Sequence, residues 1–315
     1  MSSMFLYAGR NATTFNIGDL SSWNTSSVTS MSSMFLYAGY SATTWSIGDL
    51  SSWNTLNVTN MDKMFYYAGY SATTFDISYI SNWNTSSVTD MSSMFEGAGY
   101  SATTFDIGDL SSWDTSSVTN MKSMFRYAGY SATTFELDLS SWNTSSVKNM
   151  SYMFDSAGRS ATTWSIGDLS SWNTSSVTSM SYMFNGAGRS ASTFNLTGLN
   201  NWNTSSVTGM SHMFDFAGYS ATTFELDLSS WNTSSVKNMS YMFDSAGRSA
   251  TTFNIGDLSS WDTSSVTDMR NMFNYVGWKA TWSLNCTSWN VNNVTSYSNF
   301  NTGVSSKVTP PTWVN

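Results

Sequence analysis

The chain has 315 residues, of which 10% are Asp, Glu, Lys or Arg, against roughly 25% in an ordinary soluble domain. Its 20 acids and 12 bases give a net charge of −8, which argues against nucleic-acid binding through Lys and Arg contacts to phosphate and against docking on anionic lipid. Aromatics at 16% exclude a disordered chain, and no apolar run approaches the ~18 residues of a membrane span, so membrane insertion is not expected.

The chain is one unit written ten times. Met-x-x-Met-Phe begins at Met1, Met31, Met61, Met91, Met121, Met150, Met180, Met210, Met239 and Met269. The spacing is 30, or 29 where one residue is lost, as when Phe-Asp-Ile-Gly-Asp-Leu at 105–110 becomes Phe-Glu-Leu-Asp-Leu at 135–139. Residues 128–163 and 217–252 are identical over 36 positions and lie 89 apart. The array has therefore grown by copying blocks of three units. The reading is one elongated array, with residues 1–268 as nine units and 269–315 as a degenerate last unit plus a C-terminal cap. Trp278, Trp282 and Pro310-Pro311-Thr312-Trp313 would form that cap. The chain opens inside a unit, with no basic-then-apolar leader, so the first unit is expected to be uncapped.

Within a unit, the triad Thr13, Phe15 and Ile17 alternates with polar neighbours and predicts a short extended segment. Leu20, Trp23 and Thr25 follow, and a strand of about three to five residues is expected around Trp23. Val28, Met31, Met34, Phe35 and Ala38 fall on one face of a short helix, with Ser26 or Ser27 as its cap and Gly39 at its left-handed C-terminal position. No unit buries both faces alone, so units must stack. The expected fold is an α/β repeat solenoid of about ten 29–30-residue units, each a short strand plus a short helix.

The string Leu20-x-x-Trp23-x-Thr25-x-Ser27-Val28-Thr29-x-Met31-x-x-Met34-Phe35-x-x-Ala38 resembles the leucine-rich repeat of BspA-like bacterial surface proteins. Asp49-Leu50-Ser51-Ser52-Trp53-Asn54-Thr55 and Val58-Thr59-Asn60-Met61 carry the same resemblance. The family unit is about five residues shorter, the extra piece being Gly39–Thr44. The resemblance implies a leucine-rich-repeat solenoid with strands on a concave face. It also implies surface or secreted adhesion without catalytic residues.

Stacking turns each repeated residue into a ladder. The Trp ladder reads as core, because this position takes an inward aliphatic residue in related repeats. If Trp points in, strand alternation turns the next residue out. Asn54, Asn84, Asp114, Asn143, Asn173, Asn203, Asn232 and Asp262 would then form a polar stripe on the concave face, the candidate ligand-binding surface. The alternative edge is the residue after each conserved Gly: Tyr40, Tyr70, Tyr100 and Tyr130, then Arg159 and Arg189, residue types enriched at binding hot spots. Asp19, Asp49, Asp109, Asp168 and Asp257 read as turn caps rather than calcium ligands. His212 reads as a chance surface residue and Cys286 as buried core. No serine or cysteine has a base in a unique neighbourhood, and no cofactor or metal is implied.

The function that follows is non-enzymatic recognition of a host or neighbouring-cell surface protein or glycan. The place would be outside a cell or at its surface, or alternatively on a virion. A structural spacer or fibre, self-associating through the uncapped N-terminal end, is a second class. A third is ice binding by rows of Thr pairs such as Thr13-Thr14 and Thr43-Thr44.

Overall fold

The Thr-aromatic-polar triplet is the part of each unit that becomes strand. In the computed structural model, which describes residues 1–314, three-residue strands form at β1 (Thr14–Asn16), β2 (Thr44–Ser46), β3 (Thr74–Asp76), β4 (Thr104–Asp106), β5 (Thr134–Glu136), β6 (Thr163–Ser165), β7 (Thr193–Asn195), β8 (Thr223–Glu225) and β9 (Thr252–Asn254). Each carries an inward aromatic between two outward polar residues, as period-two alternation requires. Equivalent residues pair in parallel: Thr14 with Thr44, Phe75 with Phe105, Asn195 with Glu225. A second column of parallel bridges runs Ser30, Asn60, Asp90, Asn120 and onward to Ser296. The molecule is a parallel β-solenoid whose coils repeat once per unit, with eight full turns between β1 and β9.

This overturns the leucine-rich-repeat expectation. The described residues contain no α-helix, only two short 3-10 turns at Ser78–Asn82 and Leu199–Asn201. The strand lies at Thr14–Asn16, inside the extended segment expected from Thr13, Phe15 and Ile17, and none forms around Trp23, which sits between turns. The Met-x-x-Met-Phe stretch is a chain of tight turns. Ser33 and Tyr37 have φ of +55° and +56°, values an α-helix does not admit. Alternate N–H groups leave the segment altogether: Met31, Ser33, Phe35 and Tyr37 donate to the carbonyls of Asn60, Asp62, Met64 and Tyr66 at 2.8–2.9 Å. The N–H groups between them close local turns, Met34 to Met31 at 3.2 Å and Ala38 to Phe35 at 2.9 Å. A helix as short as residues 28–38 would be marginal by itself, whereas these bonds are repeated along the stack and hold each coil to the next.

The apolar spacing was read correctly even though the conformation was not. Val58, Met61, Met64, Phe65 and Ala68 are fully buried. Gly39 does adopt left-handed φ, +56°. The reason is packing as well as conformation, since a Cβ there would lie 2.6 Å from the Trp45 ring and 2.7 Å from Phe15. The lost glycine of the 29-residue units is absorbed after the strand. Leu137 and Leu139 donate to Ser165 and Ile166 at 2.9 and 3.1 Å, and β5 and β6 stay in register.

One continuous core runs from Phe15 to Val308. Phe5, Phe35, Phe65 and the equivalents up to Phe273 stack at 5.3–5.6 Å between centroids. The ladder tryptophans Trp53, Trp83, Trp113, Trp142, Trp172, Trp202, Trp231, Trp261 and Trp289 are buried. Each indole N–H donates to the Leu or Ile carbonyl of the preceding coil, at 2.8–3.3 Å, as Trp142 does to Leu110. At the far end β10 (Leu284–Asn285) pairs with β11 (Val308–Thr309), and Trp313 stacks on Tyr297 at 4.3 Å.

Candidate recognition faces

The Asn/Asp stripe is exposed from Asn54 to Asp262, but not through strand alternation. Each side-chain oxygen folds back to close a turn. Asn143 Oδ1 accepts the Ser145 N–H at 3.1 Å and its hydroxyl at 2.7 Å. Asp114 and Asp262 accept the N–H of Ser116 and Ser264, each at 2.9 Å, and the hydroxyls of the same serines, with these N–H groups second, hold both carboxyls below the usual range. Behind them, the main-chain carbonyls accept buried threonine hydroxyls, as Asn143 does from Thr115 at 3.0 Å. The flanking serines are occupied too: Ser52 donates to the Ser21 carbonyl at 2.8 Å. Asn84, Asn173, Asn203 and Asn232 repeat the arrangement, and Asn54 accepts from Leu56. The acceptor groups of the stripe are thus committed to building the coil. Asp19 and its equivalents cap turns in the same manner.

The edge after the conserved glycine is a continuous ribbon. Its rungs are Arg10, Tyr40, Tyr70, Tyr100, Tyr130, Arg159, Arg189, Tyr219, Arg248 and Trp278. Tyr40, Tyr70, Tyr100 and Tyr130 stack face to face at 4.4–4.6 Å, within 12–15° of parallel. Arginines extend the stack. Arg10 lies over Tyr7 at 5.1 Å, Arg159 over Tyr130 at 5.3 Å, Arg189 over Tyr219 at 4.8 Å and Arg248 over Tyr275 at 4.5 Å. All but Trp278 of the rungs from Tyr40 on are half-buried, and Trp278 is exposed. Burial, aided by neighbouring phenols, pushes Tyr100 up to about 12, so its hydroxyl stays protonated at neutral pH. Among the described residues none of these four arginines forms an ion pair; Arg126 and Arg270 do. Burial, and then the Arg159 charge, lowers Arg189.

Sequence reasoning missed a second column. Tyr152, Tyr182, His212 and Tyr241 stack at 4.3–4.5 Å, all with left-handed φ of 56–61°. His212 is therefore no chance surface residue: it is clamped between two tyrosines, and its Nδ1 lies 2.8 Å from Asp215 Oδ2. Three residues on, a polar ladder runs Glu96, Arg126, Asp155, Asn185, Asp215, Asp244 and Asn274. Arg126 bridges Glu96 at 3.5 Å and Asp155 at 2.9 Å, Asn185 donates to Asp215 at 3.1 Å and Asn274 to Asp244 at 3.0 Å. Asp215 Oδ1 is buried without a partner, and burial pushes that carboxyl up to about 6. Aligning the units by their first Met would have exposed this column, because four aromatic rings fall on one position in succession.

Threonines from Thr14 to Thr252 form an unbroken row on the outer side of β1–β9, exposed except at half-buried Thr223. Two residues on, the same side carries Asp76, Asp106, Glu136 and Glu225. Those carboxylates hold strongly bound water, which disfavours the uniform face that ice contact needs. Cys286 is buried, and burial alone pushes its thiol up to about 12. Among the described residues no three metal-ligating side chains come together, and no helix is long and apolar enough to cross a membrane.

The repeat is shared with other proteins. Five overlapping segments, 1–98, 37–165, 96–189, 159–254 and 187–310, match the family described as Mycoplasma protein of unknown function, DUF285. The chain belongs to the DUF285 family. No curated protein and no solved structure matches this DUF285 chain. The matched segments together span residues 1–310, and each covers three to four of the coils described above.

Proposed function

We propose that the array is a non-enzymatic recognition module that holds an extended ligand along its Tyr–Arg ribbon. The reading includes a location at an outer surface, of a cell or a virion, in keeping with the BspA-like resemblance of the unit. The observation that carries it is the set of four ribbon arginines without ion pairs on a molecule of net charge −8. The ring stacking fixes these side chains beforehand, so a ligand meets a surface whose ordering entropy is already spent.

The test is attachment of the purified chain to intact cells and to a glycan and protein array. Tyr100→Ala with Tyr130→Ala should weaken attachment at least tenfold, with the Asn143→Ala/Asn173→Ala pair unchanged. The reverse result would move the site to the Asn/Asp stripe. A second reading is self-association through the first coil, where Met4, Leu6 and Tyr7 are 52%, 39% and 47% exposed. It requires a sedimentation coefficient that rises with concentration.

A further inference from the structure

Resting on the ribbon as the binding edge, we infer that its ligand is a linear acidic polysaccharide, whose carboxylates or sulfates take the guanidiniums while its hydroxyls take the phenols.

Face stacking of sugars on aromatic rings is ruled out along the tyrosine run. Each ring face there is already covered by the next ring at 4.4–4.6 Å. What remains outward is the rim, a row of hydroxyl groups at the coil repeat of ~4.8 Å. Such a rim forms hydrogen bonds and offers no apolar pocket.

The arginines set the sign of the ligand. Arg159 and Arg189 lie over the rings of Tyr130 and Tyr219, at 5.3 and 4.8 Å. A guanidinium held over a ring keeps N–H donors with which it takes a carboxylate or sulfate side-on. The same acidic chain that pairs Arg126 with two carboxylates forms no ion pair with Arg10, Arg159, Arg189 or Arg248 among the described residues; Asp155, Asp215 and Asp244 act on Arg159, Arg189 and Arg248 only from beyond contact. Each of these four guanidiniums is held against aromatic rings and has no carboxylate in direct contact.

Spacing sets the form of the ligand. Arg159 and Arg189 are on adjacent rungs, Arg248 is two rungs beyond Arg189, and Arg10 is five rungs before Arg159. At ~4.8 Å per rung this places charges over roughly 40 Å, separated by neutral hydroxyl donors. A small anion would engage one or two rungs. A polymer with recurring acids and hydroxyls engages all of them and gains through effective concentration. A nucleic acid carries one charge per ~3.4 Å of strand, far denser than the arginines here. An acidic peptide docks by adding a strand or filling pockets, yet the N–H groups of Gly39, Ser41 and Thr43 beside the ribbon are already bonded to Ala8, Arg10 and Thr13.

The experiment measures binding of the purified chain to polygalacturonate, dextran sulfate, neutral dextran and poly-glutamate by biolayer interferometry at 50 and 300 mM salt. The expected result is binding to polygalacturonate, dextran sulfate or both, steeply weaker at high salt, and none to neutral dextran. The first two arms separate carboxylate from sulfate as the anionic group. Arg159→Gln with Arg189→Gln should reduce the affinity at least tenfold, while Asn143→Ala with Asn173→Ala leaves it unchanged. Preference for poly-glutamate, equal binding to neutral dextran, or no binding by the unaltered chain would each overturn the inference without depending on any variant's folding. If the acidic glycans fail while the Tyr100/Tyr130 variant still loses cell attachment, the polysaccharide falls and the ribbon stands as the binding edge.

Discussion

Trp142 shows how one residue serves two coils. Its ring is 1% exposed and packs between the coil cores, and its N–H donates to Leu110 of the coil before. Trp142→Ala opens a cavity and orphans a buried carbonyl, so equilibrium denaturation should show a loss of about 3–5 kcal/mol. This role was legible, because a large apolar residue recurring once per unit has to be buried somewhere. Asp215 was not legible, since its neighbours come from other coils. In the fold its carboxyl is pushed up to about 6, mainly by burial, against ~3.9 in the unfolded chain. The folded state therefore favours the neutral acid. That contribution is fully present below about pH 4 and is lost as the pH rises through about 6. Asp244 on the next rung adds repulsion, while His212 and Asn185 bond the ionised form. Thermal melts should show Asp215→Asn gaining on the unaltered chain between pH 4.5 and pH 7, by up to about 3 kcal/mol. A pH-independent difference would mean the carboxyl is not the titrating group.

At the scale of the element, the apolar pattern predicted which residues enter the core and failed to predict the conformation that puts them there. Positions 31, 34, 35 and 38 share a face in a helix and also in a run of turns. What separates the two is backbone: Ser33, Tyr37 and their equivalents must turn left-handed, and serine or tyrosine does not announce that as glycine does. The strand was misplaced for a related reason. Apolar residues surround both Phe15 and Trp23, but only the Thr-Phe-Asn triplet is β-branched and aromatic in strict alternation. Glycine marks turns where backbone and packing agree. Gly158 has φ of +51°, and a Cβ there would meet Phe135 Cβ at 2.3 Å. Gly158→Ala should cost about 1–3 kcal/mol in backbone strain alone, read as a lower denaturation midpoint. A neutral result would mean that the turn chain relaxes more easily than its repeated bonds suggest.

Seen whole, the molecule is a stack in which each coil touches only its neighbours. Its length is set by how many units the gene carries, and a 29-residue unit joins a 30-residue one without disturbing the register of β5 and β6. The block at 128–163 and its copy at 217–252 entered on those terms. The same bond arrangement governs the response to mechanical load. The hydrogen bonds from Met31, Ser33, Phe35 and Tyr37 to the next coil lie along the solenoid axis, so tension between the ends acts on them one interface at a time rather than shearing many together. The stack of Trp313 on Tyr297 closes the last coil, and peeling proceeds coil by coil. Each coil that yields releases about 30 residues, roughly 100 Å of extended chain. A single-molecule pulling trace should therefore be a regular sawtooth with that period, and a tether built this way lengthens in steps under load while the coils behind the break keep their shape.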